Sequence, residues 1–187
     1  MGLCLYVGMD DSNHASNKNG AIRLQGEINL ATFSFLQEDS IVKYFRNGRD
    51  YTFADNWLRG INLRDYRFTI LSDDDRWNRA DNLIYSAPIL IRRFLRDNQN
   101  LNIDALKLYL DGHLSSEGKF RLRSEFKDFS NFVVNNFFKK RINYQRRVEK
   151  HPKCPTLVYV ADVLANRKLD NSLAELLASP KFVPMNL

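Results

Sequence analysis

Three aspartates in this chain stand where an acid is out of keeping with its neighbours. Asp10 ends the apolar run LCLYVGM and is followed at once by a second acid, Asp11. Asp111 closes the run LKLYL and precedes Gly112, and Asp162 lies inside the apolar stretch LVYVADVLA. Carboxylates are hard oxygen donors, the ligand type that Mg²⁺ and Mn²⁺ take. Two such ions about 4 Å apart stabilise the attacking and leaving oxygens of a phosphodiester and activate the attacking water. Gathered without metal, the same acids repel one another and raise at least one pKa, so a cluster of this kind is costly unless it is used.

Plainer roles exist for each acid. Asp-Ser-Asn after Asp10 suits an Asx turn, and Asp111-Gly112 is an ordinary turn pair. Asp162 has the least room for one. Counted by helix turns it neighbours Val158, Tyr159, Ala165 and Asn166, where an acid without a partner is poorly placed. Asp10, Asp111 and Asp162 are therefore the candidate catalytic and metal-ligating residues, with Asp11 a candidate fourth. Ser12 and His14 follow the first acids, His113 follows Asp111, and Asn166 is one turn beyond Asp162. These four are candidates to line the site, although a solvated loop histidine is the plainer reading of both histidines.

The elements that must carry these residues read as follows. The apolar run from Leu3, with Leu5, Tyr6 and Val7, reads as a buried strand delivering Asp10 at its C-terminal end, a common way to put a carboxylate in the mouth of an α/β sheet. A polar loop closed by Gly20 leads to a second strand over Glu27 to Glu38, and Tyr66 to Leu71 forms a third. A helix capped by Asp81 or Asn82 follows, with Leu83, Ala87, Leu90, Ile91 and Phe94 at the 3.6 period. Pro88 costs about 3 kcal/mol in a helix interior, which predicts a kink or a start nearer Ser86. Leu106 to Leu110 is a fourth strand. Ser115 to Phe138 is mostly helical, and Arg141 to Val148 is a charged fifth strand at a sheet edge. Pro155 opens a helix that ends at Asn166 or Arg167, and a short helix follows at Ser172 to Ala178. Three strands in a row imply a meander, and the later strand–helix–strand units imply parallel crossovers.

With 187 residues, 44% hydrophobic and 27% charged, the chain has the size and composition of one soluble globular domain over residues 1–187. It adds a short helical extension at about 170–187. No apolar run approaches the roughly 20 residues that span a bilayer. No signal-peptide pattern is present, so a cytoplasmic protein without a membrane partner is expected. Cys4 and Cys154 lack metal-type or redox spacing and read as free thiols. The net charge of +6 leans towards a polyanionic partner. Lys139, Lys140, Arg141, Arg146, Arg147 and Lys150 lie in the densest basic run, KKRINYQRRVEKHPK, with Tyr144 inside it. These are candidate phosphate contacts with an aromatic at hand for stacking. Arg92, Arg93 and Arg96 extend the charge.

In element order and acid placement the chain resembles the ribonuclease H-like superfamily. The opening YVGMDDSN looks like the Asp-Glu-Ser opening of an uncharacterised bacterial and archaeal family within it. It also looks like the Asp-Glu opening of type 2 ribonucleases H. The closing LVYVADVLANRK looks like the Ala-Asp helix that ends members of the first family. The resemblance spans roughly residues 3 to 168, and its weight comes from the order and spacing of short motifs. It implies an α/β, ribonuclease H-like fold: a five-stranded mixed sheet in the chain order β-β-β-α-β-α-β-α, flanked by helices. It also implies Mg²⁺ or Mn²⁺ held by Asp10, Asp111 and Asp162. Two departures stand out. The second opening acid is Asp11 rather than Glu, and no Glu lies between Glu38 and Glu117 to supply the first-helix acid of ribonucleases H.

The function expected is a metal-dependent nuclease or phosphodiester-processing enzyme acting on nucleic acid. Two alternatives stand beside it. A nucleic-acid-binding module without turnover predicts salt-dependent binding that needs no divalent ion. A protein-interaction domain predicts acids far apart and no affinity for polyanions.

Overall fold

The computed structural model describes residues 3–12, 26–35, 40–42, 63–72, 79–111, 143–149, 153–168 and 170–185. The strands are β1 (Leu3–Asp11), β2 (Gly26–Ser34), β3 (Ser40–Val42), β4 (Asp65–Ser72), β5 (Ile103–Asp111), β6 (Asn143–Glu149) and β7 (Lys153–Pro155). The helices are α1 (Arg79–Asp97), α2 (Thr156–Lys168) and α3 (Leu173–Ala178).

The packed body is a mixed sheet of four strands, β4-β2-β1-β5, and β6 continues it at the outer edge. The pairs β4–β2 and β2–β1 are antiparallel, while β1–β5 and β5–β6 are parallel. A second, two-stranded sheet pairs β3 with β7. This corrects the expected architecture. A single five-stranded sheet in the order β-β-β-α-β-α-β-α does not describe the chain, which adds β3 before β4 and β7 before α2. The short segments Ser40–Val42 and Lys153–Pro155 are too brief for a period-2 signal and become strands only by meeting each other. The helix expected over Ser115 to Phe138 lies outside the described residues. What remains of the expectation is the α/β class.

The two sheet faces bury different sets. On one, Leu5, Val7 and Met9 of β1 and Ala31 and Phe33 of β2 meet Leu83, Ala87, Leu90, Ile91, Phe94 and Leu95 of α1, all at 0–1% exposure. Phe33 and Phe94 stack with centroids 4.2 Å apart. On the other, Ile28, Leu30 and Phe68 meet Ala161 and Ala165 of α2 and Leu176 of α3. The alternation follows the strand period of two.

Helix α1 starts at Arg79, not near Ser86, and runs through Pro88 to Asp97. The apolar stripe lies on both sides of the proline, and its burial outweighs the one hydrogen bond that Pro88 cannot donate. Near the start, the Ser86 hydroxyl donates to the Asn82 and Leu83 carbonyls.

At the opposite end of β4 an ion-pair network ties strand, helix and tail together. Arg67, almost fully buried, pairs with Asp65 and with Asp97 of α1, and Lys181 reaches Asp65 at 2.6 Å. The Phe68 N–H donates to the Lys181 carbonyl and the Val183 N–H to that of Phe68, so the tail lies along the edge of β4. Partial burial alone would raise the Asp97 pKa, but hydrogen bonds from Arg67 and Arg93 outweigh it and lower the value below its ordinary 3.8. A lowered folded pKa means stabilisation that is present above the unfolded value and lost as pH falls through the folded one. The urea midpoint should therefore drop more steeply between pH 4 and pH 2 in the wild type than in Asp97→Asn. Equal slopes would show that Asp97 carries no acid-sensitive stability.

Candidate functional site

The candidate site starts from Gly8. A Cβ built on it would lie 2.3 Å from the Leu157 carbonyl carbon and 2.5 Å from the Val158 nitrogen. Only a residue without a side chain lets the first turn of α2 settle so close to β1. The Thr32 hydroxyl, opposite Gly8 in the β1–β2 register, lies 2.9 Å from the Leu157 carbonyl oxygen and 3.1 Å from that of Gly8. It pins the helix start to both strands.

Asp10 lies two residues beyond Gly8, on the same sheet face, and is 2% exposed. Its Oδ1 accepts the Asp11 N–H at 2.8 Å, which fixes the carboxylate against its own strand. The parallel pairing of β1 and β5 sets Met9 beside Leu110. One step further along both strands stand Asp10 and Asp111, at the C-terminal ends of neighbours about 4.8 Å apart. Asp111 in turn pairs in register with Glu149 of β6.

Asp162 arrives from α2. That helix begins over Gly8 and Thr32 and packs Ala161 and Ala165 against Leu30 and Ile28, so it runs towards the C-terminal end of β1. Five residues of helix from Leu157 to Asp162 advance about 7.5 Å, and two residues of strand from Gly8 to Asp10 advance about 6.7 Å. Asp162 and Asp10 are thus level. Leu164 packs with the β2–β4 cluster, and Asp162 lies about 160° around the helix from it, on the flank nearer β1 and β5. Asn166, one turn on, donates from Nδ2 to Asp162 Oδ1 at 2.7 Å and to the Asp162 carbonyl at 2.8 Å. This clasp limits the carboxylate's rotamers.

The remaining candidates divide by place. Asp11 follows Asp10 on a strand and so belongs to the opposite face, under α1, level with Asn29 of β2. Ser12 is fully buried; its Oγ accepts the Ile28 N–H at 3.0 Å and its own N–H donates to the Ile28 carbonyl, so it extends the β1–β2 pairing. Arg146 and Arg147 lie on the edge strand β6, opposite Leu108 and Tyr109 of β5. His14, His113, Lys139, Lys140, Arg141 and Lys150 lie outside the described residues. Among the described residues no group of three His, Cys, Asp or Glu is disposed to hold a metal ion; the Asp111 side chain is not among them.

Sequence reasoning passed over a buried polar set on the α1 face, Glu27, Asn29 and Thr69, and took Asn82 only for a helix cap, whereas it lies inside α1; each is 0–1% exposed. The signal was there in EINLATF, where Glu27 and Asn29 share the parity of Phe33, which the strand buries.

Compared with known proteins, the chain matches no family model and no curated protein. Function must therefore be argued from these residues. Chemically they amount to hard oxygen donors at the C-terminal ends of two parallel strands, with a third carried level by a helix seated on a glycine. Among the described residues no helix is long and apolar enough to cross a membrane.

Proposed function

We propose that this protein is a divalent-metal-dependent hydrolase of phosphodiester bonds in nucleic acid. What supports the proposal is the β1–β5 register, whose last pair, Met9 with Leu110, stands directly before Asp10 and Asp111, on the sheet that α2 covers. Asp10, Asp111 and Asp162 would hold Mg²⁺ or Mn²⁺, and the donor set suits these hard cations. When bound, the metal supplies an activated water and charge stabilisation for the phosphoryl oxygens.

The chain's own residues supply position. The Asp11 N–H orients Asp10, Asn166 orients Asp162, and the Gly8–Leu157 approach fixes the distance between helix and strand. The net charge of +6 favours a polyanion, and Lys139, Lys140, Arg141, Arg146, Arg147 and Lys150 would neutralise phosphates on it. The likeness of the acid-bearing motifs to those of the ribonuclease H-like superfamily supports the same chemistry; the element order expected from it is not part of the proposal.

The test is cleavage of labelled single-stranded RNA and DNA, both duplexes and the hybrid, in Mn²⁺. The wild type should cleave at least one of them. Asp162→Asn should lower that rate by about 100-fold or more, with an unfolding free energy from urea melts within about 1 kcal/mol of wild type. A wild type inert on all five, or an Asp162→Asn variant as fast as wild type, would reject the proposal.

A further inference from the structure

The two faces of β5 are built differently. Leu106, Leu108 and Leu110 belong to the cluster under α1 and are 0–2% exposed. The alternate positions carry Lys107 and Tyr109, both half-buried, on the face that α2 shares. Register sets Tyr6 of β1, also half-buried, beside Lys107, and Gly8 beside Tyr109. Helix α2 rests on Gly8 through Leu157 and packs Ala161 and Ala165 against Leu30 and Ile28. Its apolar contacts thus lie on the β2 side of β1, and the β5 side of the same face carries two tyrosines and a lysine instead of a leucine row.

These three residues suit an unpaired nucleic-acid strand. A base stacks on an aromatic ring only when its own face is free, which the stacked pairs of a duplex do not offer. Tyr109 supplies the ring. Lys107 supplies the cation: its Nζ lies 5.3 Å from the centre of the Tyr6 ring, so cation–π attraction holds the ammonium against the sheet face. A lysine held in this way loses less side-chain freedom when it meets a phosphate. Charge and place agree with that reading. Arg147 of β6 stands in register with Tyr109, and the chain as a whole carries +6. One row beyond Tyr109 come Asp10 and Asp111, so ring, cation and acids follow one another along the same two strands. From Lys107 to Asp111 the strand advances about 13 Å, the rise of about four stacked nucleotides.

We infer that the β1–β5 face beside α2 binds single-stranded nucleic acid, with Tyr109 stacking on a base, Lys107 contacting a phosphate and Tyr6 positioning Lys107. The inference deepens the proposed function, on which it rests for what the strand meets at Asp10 and Asp111, and it names the substrate as unpaired. The binding itself draws on no metal chemistry.

Labelled oligo(dT) and oligo(U) are the probes, with the oligo(dT)·oligo(dA) duplex for comparison. The protein is the full-length Asp10→Asn/Asp162→Asn double variant in chelator, where the proposed cleavage cannot consume the probe. It should bind at least one single strand more tightly than the duplex. Adding Tyr109→Leu, which keeps an apolar side chain and removes the ring, should weaken single-strand binding about fivefold or more, while Tyr109→Phe should not. Lys107→Gln should lower the slope of log affinity against log salt by about 0.7, the share of one single-strand phosphate. Tyr6→Leu should weaken binding when Lys107 is present and not in the Lys107→Gln background. The inference is overturned if Tyr109→Leu and Lys107→Gln leave affinity and salt slope unchanged, or if the duplex binds as tightly as both single strands. Should Tyr109→Leu fail to fold, photocross-linking of an iodouracil-bearing strand to the double variant decides. A cross-link on the peptide that holds Tyr109 upholds the surface, and cross-links confined to other peptides overturn it. A wild type that cleaves nucleic acid with a KM untouched by Lys107→Gln and Tyr109→Leu would keep the hydrolase and sink the inference. Strand binding through these residues in a protein that cleaves nothing would do the reverse.

Discussion

Gly8→Ala should cost the protein about 3 kcal/mol, the upper part of the range for forcing atoms into a packed core. The added methyl would meet backbone, not a side chain that can turn away: the Leu157 carbonyl carbon at 2.3 Å and the Val158 nitrogen at 2.5 Å. Neither partner can yield cheaply. Strand β1 is held on both edges by β2 and β5, and the Leu157 carbonyl is pinned through the Thr32 hydroxyl. Relief requires lifting the first turn of α2, which uncovers Leu157 and Val158, now at 0–2% exposure. A urea melt of Gly8→Ala against wild type measures the loss, and an unchanged midpoint would mean that α2 is not seated on β1 as described. The same lift displaces Asp162 from the level of Asp10. Whatever Gly8→Ala protein remains folded should therefore also lose turnover in the proposed reaction.

Asp10→Asn should lower metal-dependent turnover by about a thousandfold, equivalent to about 4 kcal/mol of transition-state stabilisation, with little change in stability. The two effects separate because of how Asp10 is held. Its Oδ1 accepts the Asp11 N–H, and the amide oxygen of Asn can accept the same bond. What the substitution removes is the negative charge, which a hard divalent cation requires of a ligand far more than the backbone N–H does. Single-turnover cleavage in Mn²⁺ and a urea melt on the same preparation test both halves. Turnover within threefold of wild type would remove Asp10 from the metal site. Lost turnover with a collapsed urea midpoint would reassign Asp10 to structure.

Much of the site's frame was legible in the chain itself. The apolar run into Asp10, the run into Asp111 and the acid inside LVYVADVLA are local patterns, and local patterns survive into β1, β5 and α2 with small shifts of boundary. Pro155, for example, closes β7 instead of opening α2, which begins at Thr156. Where tertiary contacts set the outcome, the patterns misled. Pro88 argued for a kink or a late helix start; the late start does not occur, because the stripe from Leu83 to Leu95 packs on β1 and β2 as one face and carries α1 through it. The strands β3 and β7 had no visible signal because three residues carry no period. The buried polar set on the α1 face was hidden for a related reason. Asp11, Asn29 and Thr69 are far apart in the chain, and only register brings them abreast.

By itself, then, the sequence determined which residue types end the strands, where the helical stripe runs, and that the chain carries a net positive charge, since all of these are properties of neighbours within a few positions. The tertiary structure decided the rest. Strand alternation sends Asp10 to the face under α2 and Asp11 to the face under α1, and parallel pairing stands Asp10 beside Asp111. A glycine at position 8 lets a helix more than 140 residues later in the chain approach to backbone contact. These outcomes depend on which strand lies next to which, and in what register. Long-range pairing settles that through burial of both sheet faces at once, and no local window of the chain contains it.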